Sequence, residues 1–473
     1  MKQELCRLRH ISFAYQGQEP VLRDVDLTIY RGEMLLITGP SGGGKSTLLQ
    51  ILNGVLLEHV GGELEGSVCW IDRDGREKNL NETGPAVRAA LIGTVMQNAD
   101  DQIIYDKTED EVAFVLENLG VEAERMPERI KGALTRMGLT AGLQTLTLSG
   151  GQKQRLVTAT TLAMEQELII LDEPLANLDV GGAVCLLRQL KALTAGGKAV
   201  ILIEHRLDLL HAFIDRWFWL EAGRLQEVER EHLPVSQALA GRPSLPPSKP
   251  GTGEICLRLT QAAFLVKKQV ILQPLDFTLC RGERWLIVGD NGGGKSTFLQ
   301  LLSGIIKPSL GSYFSRFRPK EHFSRVGMIL QNPSYQLFMP TVRAELELHC
   351  RSRERSKRLL EHFGLSALAE RHPHSLSEGQ KRRLGIAAVL ATEPEILLLD
   401  EPTVGLDPIS LEQLLDALER FCDPEKLTTV SITHDERCAG LLGNRVLWIR
   451  NGRCRSGGME LFTEYKREGG SLC

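Results

Sequence analysis

The sequence predicts an α/β chain of two tandem domains, and three observations predict it. An apolar, strand-like run entering a glycine-rich turn and then a helical pattern occurs twice. Two further motifs follow each copy in the same order. A Pro-, Gly- and Ser-rich stretch separates the copies.

Gly42 to Gly54 reads GGGKSTLLQILNG and Gly292 to Gly304 reads GGGKSTFLQLLSG, identical at ten of thirteen positions with an offset of 250 residues. LSGGQKQR (Leu148 to Arg155) returns as LSEGQKRR (Leu376 to Arg383), and LIILDEP (Leu168 to Pro174) as ILLLDEP (Ile396 to Pro402). The serine of each LS-x-GQ stands 23 residues before the aspartate of each LDEP. The halves are therefore copies, a repeat that decides the architecture. Residues 241–253, GRPSLPPSKPGTG, read as an exposed linker. The expected domains are 1–240 and 254–473. Lys45 to Gln97 spans 52 positions and Lys295 to Gln331 spans 36. The difference predicts a loop or hairpin insertion between Glu58 and Gly84.

Bulk properties agree with this division. A chain of 473 residues suits two cores better than one. Apolar content of 42% and charged content of 25% are those of an ordinary globular protein. The net charge of -4 argues against a strongly cationic nucleic-acid binder, so no nucleic-acid partner is expected. No apolar run approaches the roughly 20 residues of a membrane helix, and the chain is expected not to span a membrane. Met1 to His10 is charged and lacks the apolar core of a signal peptide. Ten cysteines without a CxxC pair suggest neither zinc nor disulfides, as for reduced thiols in the cytosol.

Met34 to Thr38 and Trp285 to Val288 read as buried strands. The turns after them, Gly39 to Ser46 and Gly289 to Ser296, fit G-x-x-x-x-G-K-[ST]. Gly39, Gly42 and Gly44, with Gly289, Gly292 and Gly294, let backbone amides curl around phosphate oxygens, and the helix N-terminus adds positive potential. Lys45 and Lys295 would reach the β- and γ-phosphates, and Ser46 and Ser296, followed by Thr47 and Thr297, would ligate Mg2+. Asp172 and Asp400 are expected at strand ends, where a carboxylate can hold magnesium. Glu173 and Glu401, one residue on, are placed to polarise an attacking water. A lone strand-end Asp-Glu is ordinarily a solvated turn, and its pairing with the glycine loop reverses that reading. Ser149 with Gln152 and Ser377 with Gln380 have the spacing of a capping box. Such a helix start also exposes a hydroxyl and amides suited to a phosphate, with Gly151 and Gly379 beside them.

On these motifs the chain resembles ABC-family ATPases along nearly its whole length. The resemblance implies in each half a RecA-like α/β core, an antiparallel β subdomain and a helical subdomain. It implies ATP and Mg2+ as ligands, and a head-to-tail arrangement pairing Lys45 with Ser377 and Lys295 with Ser149. Gln97 and Gln331 resemble the Q-loop glutamine that touches magnesium, Asp179 and Asp407 the D-loop, and His205 and His434 the switch histidine. Tyr15 resembles the aromatic that stacks on adenine, with Phe264 as its candidate counterpart. Glu378 replaces a glycine of the second LS-x-GQ. A carboxylate near phosphates is unfavourable, though its side chain could point to solvent while the amide still binds. Two competent sites are therefore expected, with the Lys45–Ser377 site the slower if they differ. All catalytic positions are otherwise present in both halves.

After the Q-loop come Gln97-Asn-Ala-Asp-Asp-Gln102 with Thr108-Glu-Asp-Glu111, and Gln331-Asn-Pro-Ser-Tyr-Gln336 with Thr341-Val-Arg-Ala-Glu345. These resemble energy-coupling-factor transporter ATPases and cobalt importers. Thr108 to Glu111 reads as a capping box; Gln102 and Gln336 have no such local explanation. The resemblance implies an integral membrane scaffold and a membrane substrate-binding protein as partners, at the cytoplasmic face of the cell membrane. Soluble ABC-F translation factors, tandem sugar-importer ATPases and a non-enzymatic ATP-binding scaffold are the rivals. The short Pro-rich linker, LANLD (Leu175 to Asp179), TVGLD (Thr403 to Asp407) and the two intact lysines weigh against them.

Overall fold

The computed structural model describes residues 2–56, 61–176, 178–233, 242, 245, 253–267, 269–350, 352–404, 406, 408–421 and 427–471. Most of the expected linker, and Asp407, lie outside them. The chain divides into two compact units, 1–178 with 182–234 and 179–181 with 235–473.

The first half runs β1 (Glu4–Ala14), β2 (Leu22–Tyr30), β3 (Met34–Thr38), α1 (Lys45–Asn53), β4 (Glu63–Ile71), β5 (Glu77–Asn79), α2 (Pro85–Leu91) and β6 (Ile92–Val95). It continues α3 (Thr108–Asn118), α4 (Met126–Arg136), α5 (Gly150–Ala163), β7 (Leu168–Asp172), α6 (Val180–Ala195), β8 (Ala199–Ile203), β9 (Arg216–Glu221) and β10 (Arg224–Val228). Six strands form one sheet in the order β10-β9-β3-β8-β7-β6. All its pairings are parallel except the β9–β10 hairpin. Every residue of β3 and β8 is buried. Strands covered on both faces read as unbroken apolar runs, which is why MLLIT was visible as a strand, and AVILI of β8 has the same character.

A second, antiparallel sheet has the order β2-β1-β4-β5. Leu8, Ile11 and Phe13 of β1, Leu48, Ile51 and Leu52 of α1, and Leu35 and Ile37 of β3 belong to one core. Burying each such side chain contributes about 1.5–3 kcal/mol, so the helix after the glycine turn is anchored by both sheets.

The second half repeats the plan with β11 (Ile255–Val266), β12 (Gln269–Cys280), β13 (Arg284–Val288), α7 (Lys295–Ser303), β14 (Leu310–Ser315), α8 (Pro319–Arg325), β15 (Val326–Ile329), α9 (Val342–His349) and α10 (Arg353–His362). Then come α11 (Glu378–Ala391), β16 (Ile396–Asp400), α12 (Pro408–Phe421), β17 (Thr428–Ile432), α13 (Glu436–Leu442), β18 (Arg445–Arg450), β19 (Arg453–Gly457) and α14 (Met459–Ser471). Its large sheet, β15-β16-β17-β13-β18-β19, matches the first strand for strand. Its antiparallel sheet has three strands, β12-β11-β14. The fourth strand of the first half, β5, lies in the stretch where the extra length was expected. Asp72 accepts the amides of Asp74 and Arg76 and closes the β4–β5 turn.

Two expectations about the segment after the Q-loop are corrected. Thr108 does not cap a helix: the N-cap of α3 is Lys107, which makes no side-chain cap. The N-cap of α9 is Thr341, whose side chain accepts from the Ala344 amide. Lys107 therefore matches Thr341, and Thr108 matches Val342, both fully buried. Glu111 turns away from any cap to accept the Ile104 and Tyr105 amides at 2.9 and 2.8 Å. Glu345 accepts Phe338 and Met339 at 2.8 Å in the same way. Gln102 and Gln336 also have a structural task. Gln102 accepts the Met96 amide and donates to the Thr94 carbonyl; Gln336 does so with Leu330 and Met328. Each glutamine stitches the returning loop to the end of the edge strand β6 or β15, whose backbone groups would otherwise lack partners.

Candidate active site

Each glycine turn is shaped by backbone that a side chain would disturb. Gly39 has φ 149° and Gly44 φ 100°; Gly289 and Gly294 have 149° and 101°. A Cβ on Gly39 would lie 2.1 Å from the Leu220 carbonyl oxygen, and one on Gly289 1.9 Å from that of Ile449. Gly42 and Gly292 have φ 79° and 76° with open space around them. Lys45 Nζ donates to the Gly39 and Pro40 carbonyls, both at 2.8 Å. Lys295 Nζ donates to Gly289 at 2.7 Å and Asp290 at 3.1 Å. Both ammonium groups are buried beneath their loops. Burial pulls Lys295 below the ordinary lysine value, opposed by the charges of Glu401 and Asp400 among others.

The strand-end carboxylates meet the first turn of the helix. Ser46 Oγ donates to Asp172 Oδ2 at 3.2 Å and Ser296 Oγ to Asp400 Oδ1 at 3.3 Å. Burial raises both aspartates above the usual carboxylate range, with the nearby lysine and serine pulling the other way. Thr47 lies buried and Thr297 half-buried behind these serines.

Glu173 and Glu401 have φ 49° and 48°, the left-handed region that costs non-glycine residues about 1–3 kcal/mol. Their amides are held by Ile203 O at 2.9 Å and Ile432 O at 3.1 Å, across the β7–β8 and β16–β17 pairings. His205 Nε2 lies 3.6 Å from Glu173 Oε1 and His434 Nε2 3.2 Å from Glu401 Oε1. Gln97 Nε2 donates to Glu173 Oε2 at 3.0 Å. In each half, then, loop lysine, serine, aspartate, glutamate and histidine converge, and in the first half Gln97 joins them directly. In the second, Arg382 of α11 donates to the Gln331 and Glu401 carbonyls, both at 2.8 Å. The residue at its place in α5 is Gln154, 1% exposed, whose side-chain amide has no hydrogen-bond partner among the described residues.

Ser149 and Ser377 both form complete capping boxes at 3.3 and 3.4 Å from the amides of Gln152 and Gln380. Both serines are exposed, Gly151 is buried and Gly379 half-buried. Tyr15 packs edge-on against Phe13 and its hydroxyl lies 3.1 Å from Thr47 Oγ1. Counting from the bulge residues His10 and Gln261, both at positive φ, Phe264 stands where Phe13 does. Tyr15's position is filled by Val266, 46% exposed, which corrects the expected pairing. Glu204 was missed altogether. It is 2% exposed and accepts the amides of Leu175, His205 and Arg206.

Burial, with the charges of Asp172 and Glu204, pushes Glu173 from 4.5 to about 8. A carboxyl with a raised folded-state pKa contributes full stability below about pH 4.5 and loses it as pH rises toward about 8. In buffer without nucleotide or metal, the melting temperature of Glu173→Gln minus that of wild type should increase across this window. A constant difference would show that Glu173 is not held protonated.

The family model described as ABC transporter matches residues 22–176 and 272–404. The "Putative HMP/thiamine import ATP-binding protein YkoD" of Bacillus subtilis (strain 168) is 32% identical over 498 residues, covering 95% of this chain and 90% of that protein. Among solved structures, archaeal ribosome recycling factor aABCE1, in complex with the ribosomal stalk protein aP1, superposes with a TM-score of 0.65 at 22% identity, covering 95% of this chain and 90% of its own. An RNase-L Inhibitor structure gives 0.65 at 21%, covering 98% and 92%. At these identities the two structures speak for the fold alone.

Proposed function

This chain belongs to the ABC transporter family as a tandem ATP-binding ATPase, and from that premise we propose that it energises a membrane importer of a micronutrient, of the energy-coupling-factor type. The observation that carries the reading is the segment after each Q-loop. Gln102 and Glu111, or Gln336 and Glu345, fold that segment on itself and leave large apolar side chains outside. Ile104 is 69% and Tyr105 40% exposed; Tyr335 is 71% and Phe338 76%. Apolar residues held out by a built backbone scaffold suit a protein partner, here a short segment of a membrane scaffold. No helix among the described residues is long and apolar enough to cross a membrane, so in this reading the translocation path belongs to other chains. The chain would work at the cytoplasmic face of the membrane, with a substrate-binding membrane protein choosing the vitamin or metal ion.

In the mechanism this implies, Lys45 and Lys295 exchange their loop carbonyls for phosphate oxygens, and the loop amides surround the rest of the anion. Ser46 with Asp172, and Ser296 with Asp400, are hard oxygen donors side by side. Such pairs fit Mg2+, with Gln97 adjoining through Glu173 and Gln331 proposed in the same role, and the ion would neutralise charge developing on the phosphates. Glu173 and Glu401 accept a proton from, or orient, the attacking water, and His205 and His434 hold the carboxylates toward it. Tyr15 lies beside α1 with a ring face suited to adenine.

The tagged chain, purified from detergent-solubilised membranes, should bring down a polytopic scaffold and a small membrane protein, identified by mass spectrometry. Ribosomal proteins without a membrane partner would overturn the importer reading in favour of a soluble translation factor.

A further inference from the structure

We propose that the C-terminal helix α14 tunes the second catalytic site through Tyr465, a positioning residue for His434. The inference rests on the reading of His434 and Glu401 as the reacting groups of that half.

Tyr465 is 2% exposed, a depth at which its hydroxyl needs a partner. The hydroxyl lies 3.0 Å from His434 Nδ1 and 3.4 Å from the Gly289 carbonyl oxygen. One phenol therefore touches both the histidine after β17 and the first glycine of the phosphate loop. The other ring nitrogen, Nε2, faces Glu401 Oε1 at 3.2 Å. A carbonyl oxygen only accepts, so the single phenol proton goes to Gly289 and His434 Nδ1–H donates to the phenol oxygen. That bond fixes both tautomer and ring plane and holds Nε2 toward Glu401, as a partner on the far nitrogen does for other working histidines.

The helix holding Tyr465 is itself tied to the same two segments. Glu468 pairs with Arg450 at 2.7 Å, and Arg450 lies 3.6 Å from Asp290 of the phosphate loop. Lys466 lies 3.6 Å from Glu436, two residues beyond His434. Leu461 and Phe462 are buried, and the Trp448 ring meets Tyr465 edge-on at 5.7 Å. A helix fastened at the loop and at the histidine strand sets the spacing between them. A shift of α14 changes that spacing at the reacting pair.

The test uses the full chain with Glu173→Gln, in which turnover depends on Glu401. Adding Tyr465→Phe should lower kcat about tenfold or more, with KM for ATP and the melting temperature little changed. In the Glu401→Gln chain the same substitution should leave the remaining Glu173-dependent turnover as it was. Equal losses in both backgrounds would mean general damage and overturn the proposal. Full activity of Tyr465→Phe in the first background would also overturn it, provided His434→Ala there is inactive. Should His434→Ala be fully active, the reading of the site fails and the proposal with it.

Discussion

A chain carrying both Glu173→Gln and Glu401→Gln will bind ATP and turn it over at least about 100-fold more slowly than wild type. The amide keeps the shape of the carboxyl and its left-handed backbone, and Gln97 still has an oxygen to donate to. What it cannot do is take a proton from water. Glu173 is buried and Glu401 half-buried, and each is held by a backbone bond to the neighbouring strand and faced by a histidine, which places its carboxyl for the proton transfer. Single substitutions should each leave the other glutamate working. ATP binding by the double variant, followed by fluorescence titration, separates the chemical step from the binding step. Full turnover in the double variant would remove both glutamates from the mechanism.

The second large effect is expected from one methyl group. Gly39→Ala and Gly289→Ala place a carbon about 2 Å from a carbonyl oxygen of β9 or beside the end of β18, where backbone cannot yield without moving a central sheet. The φ of 149° adds strain that any L-residue meets. The loop must therefore shift, taking its lysine with it, because Lys45 and Lys295 are bonded to the carbonyls of these very glycines. Each variant should lose a few kcal/mol of stability and weaken ATP binding more than tenfold. Gly42→Ala is the internal comparison. Its Cβ would meet nothing within 4 Å, so only the backbone strain of φ 79°, about 1–2 kcal/mol, applies. Indistinguishable melting and binding for Gly39→Ala and Gly42→Ala would show that the close approach does not matter.

These two expectations concern residues that were legible before any coordinates. Glycine loop, lysine, strand-end Asp-Glu and capping-box serine are each written within a few neighbouring residues, because each needs a local backbone shape that few residue types allow. Buried parallel strands were legible for the same kind of reason, being apolar without interruption. The doubling of the chain then supplied the check that a single motif lacks.

What topology alone decided is of longer range. Glu111 looks like a capping residue, yet it and Glu345 each bend back to amides six and seven residues earlier. Gln102 and Gln336 were unexplained until the strand edge they bind was in place. Phe264 and Val266 could be told apart only through the β-bulge, which shifts the register in a way no offset between copies reveals. Arg382 makes a bridge where Gln154 is a buried amide with no partner among the described residues, a difference only the tertiary structure reveals. Tyr465 stands 176 positions from Gly289 and 31 from His434, and no pattern in the chain joins them. Local backbone chemistry is encoded in neighbours; the spacing of a catalytic histidine and a phosphate loop is set by how a sheet closes and by which helix comes to rest upon it.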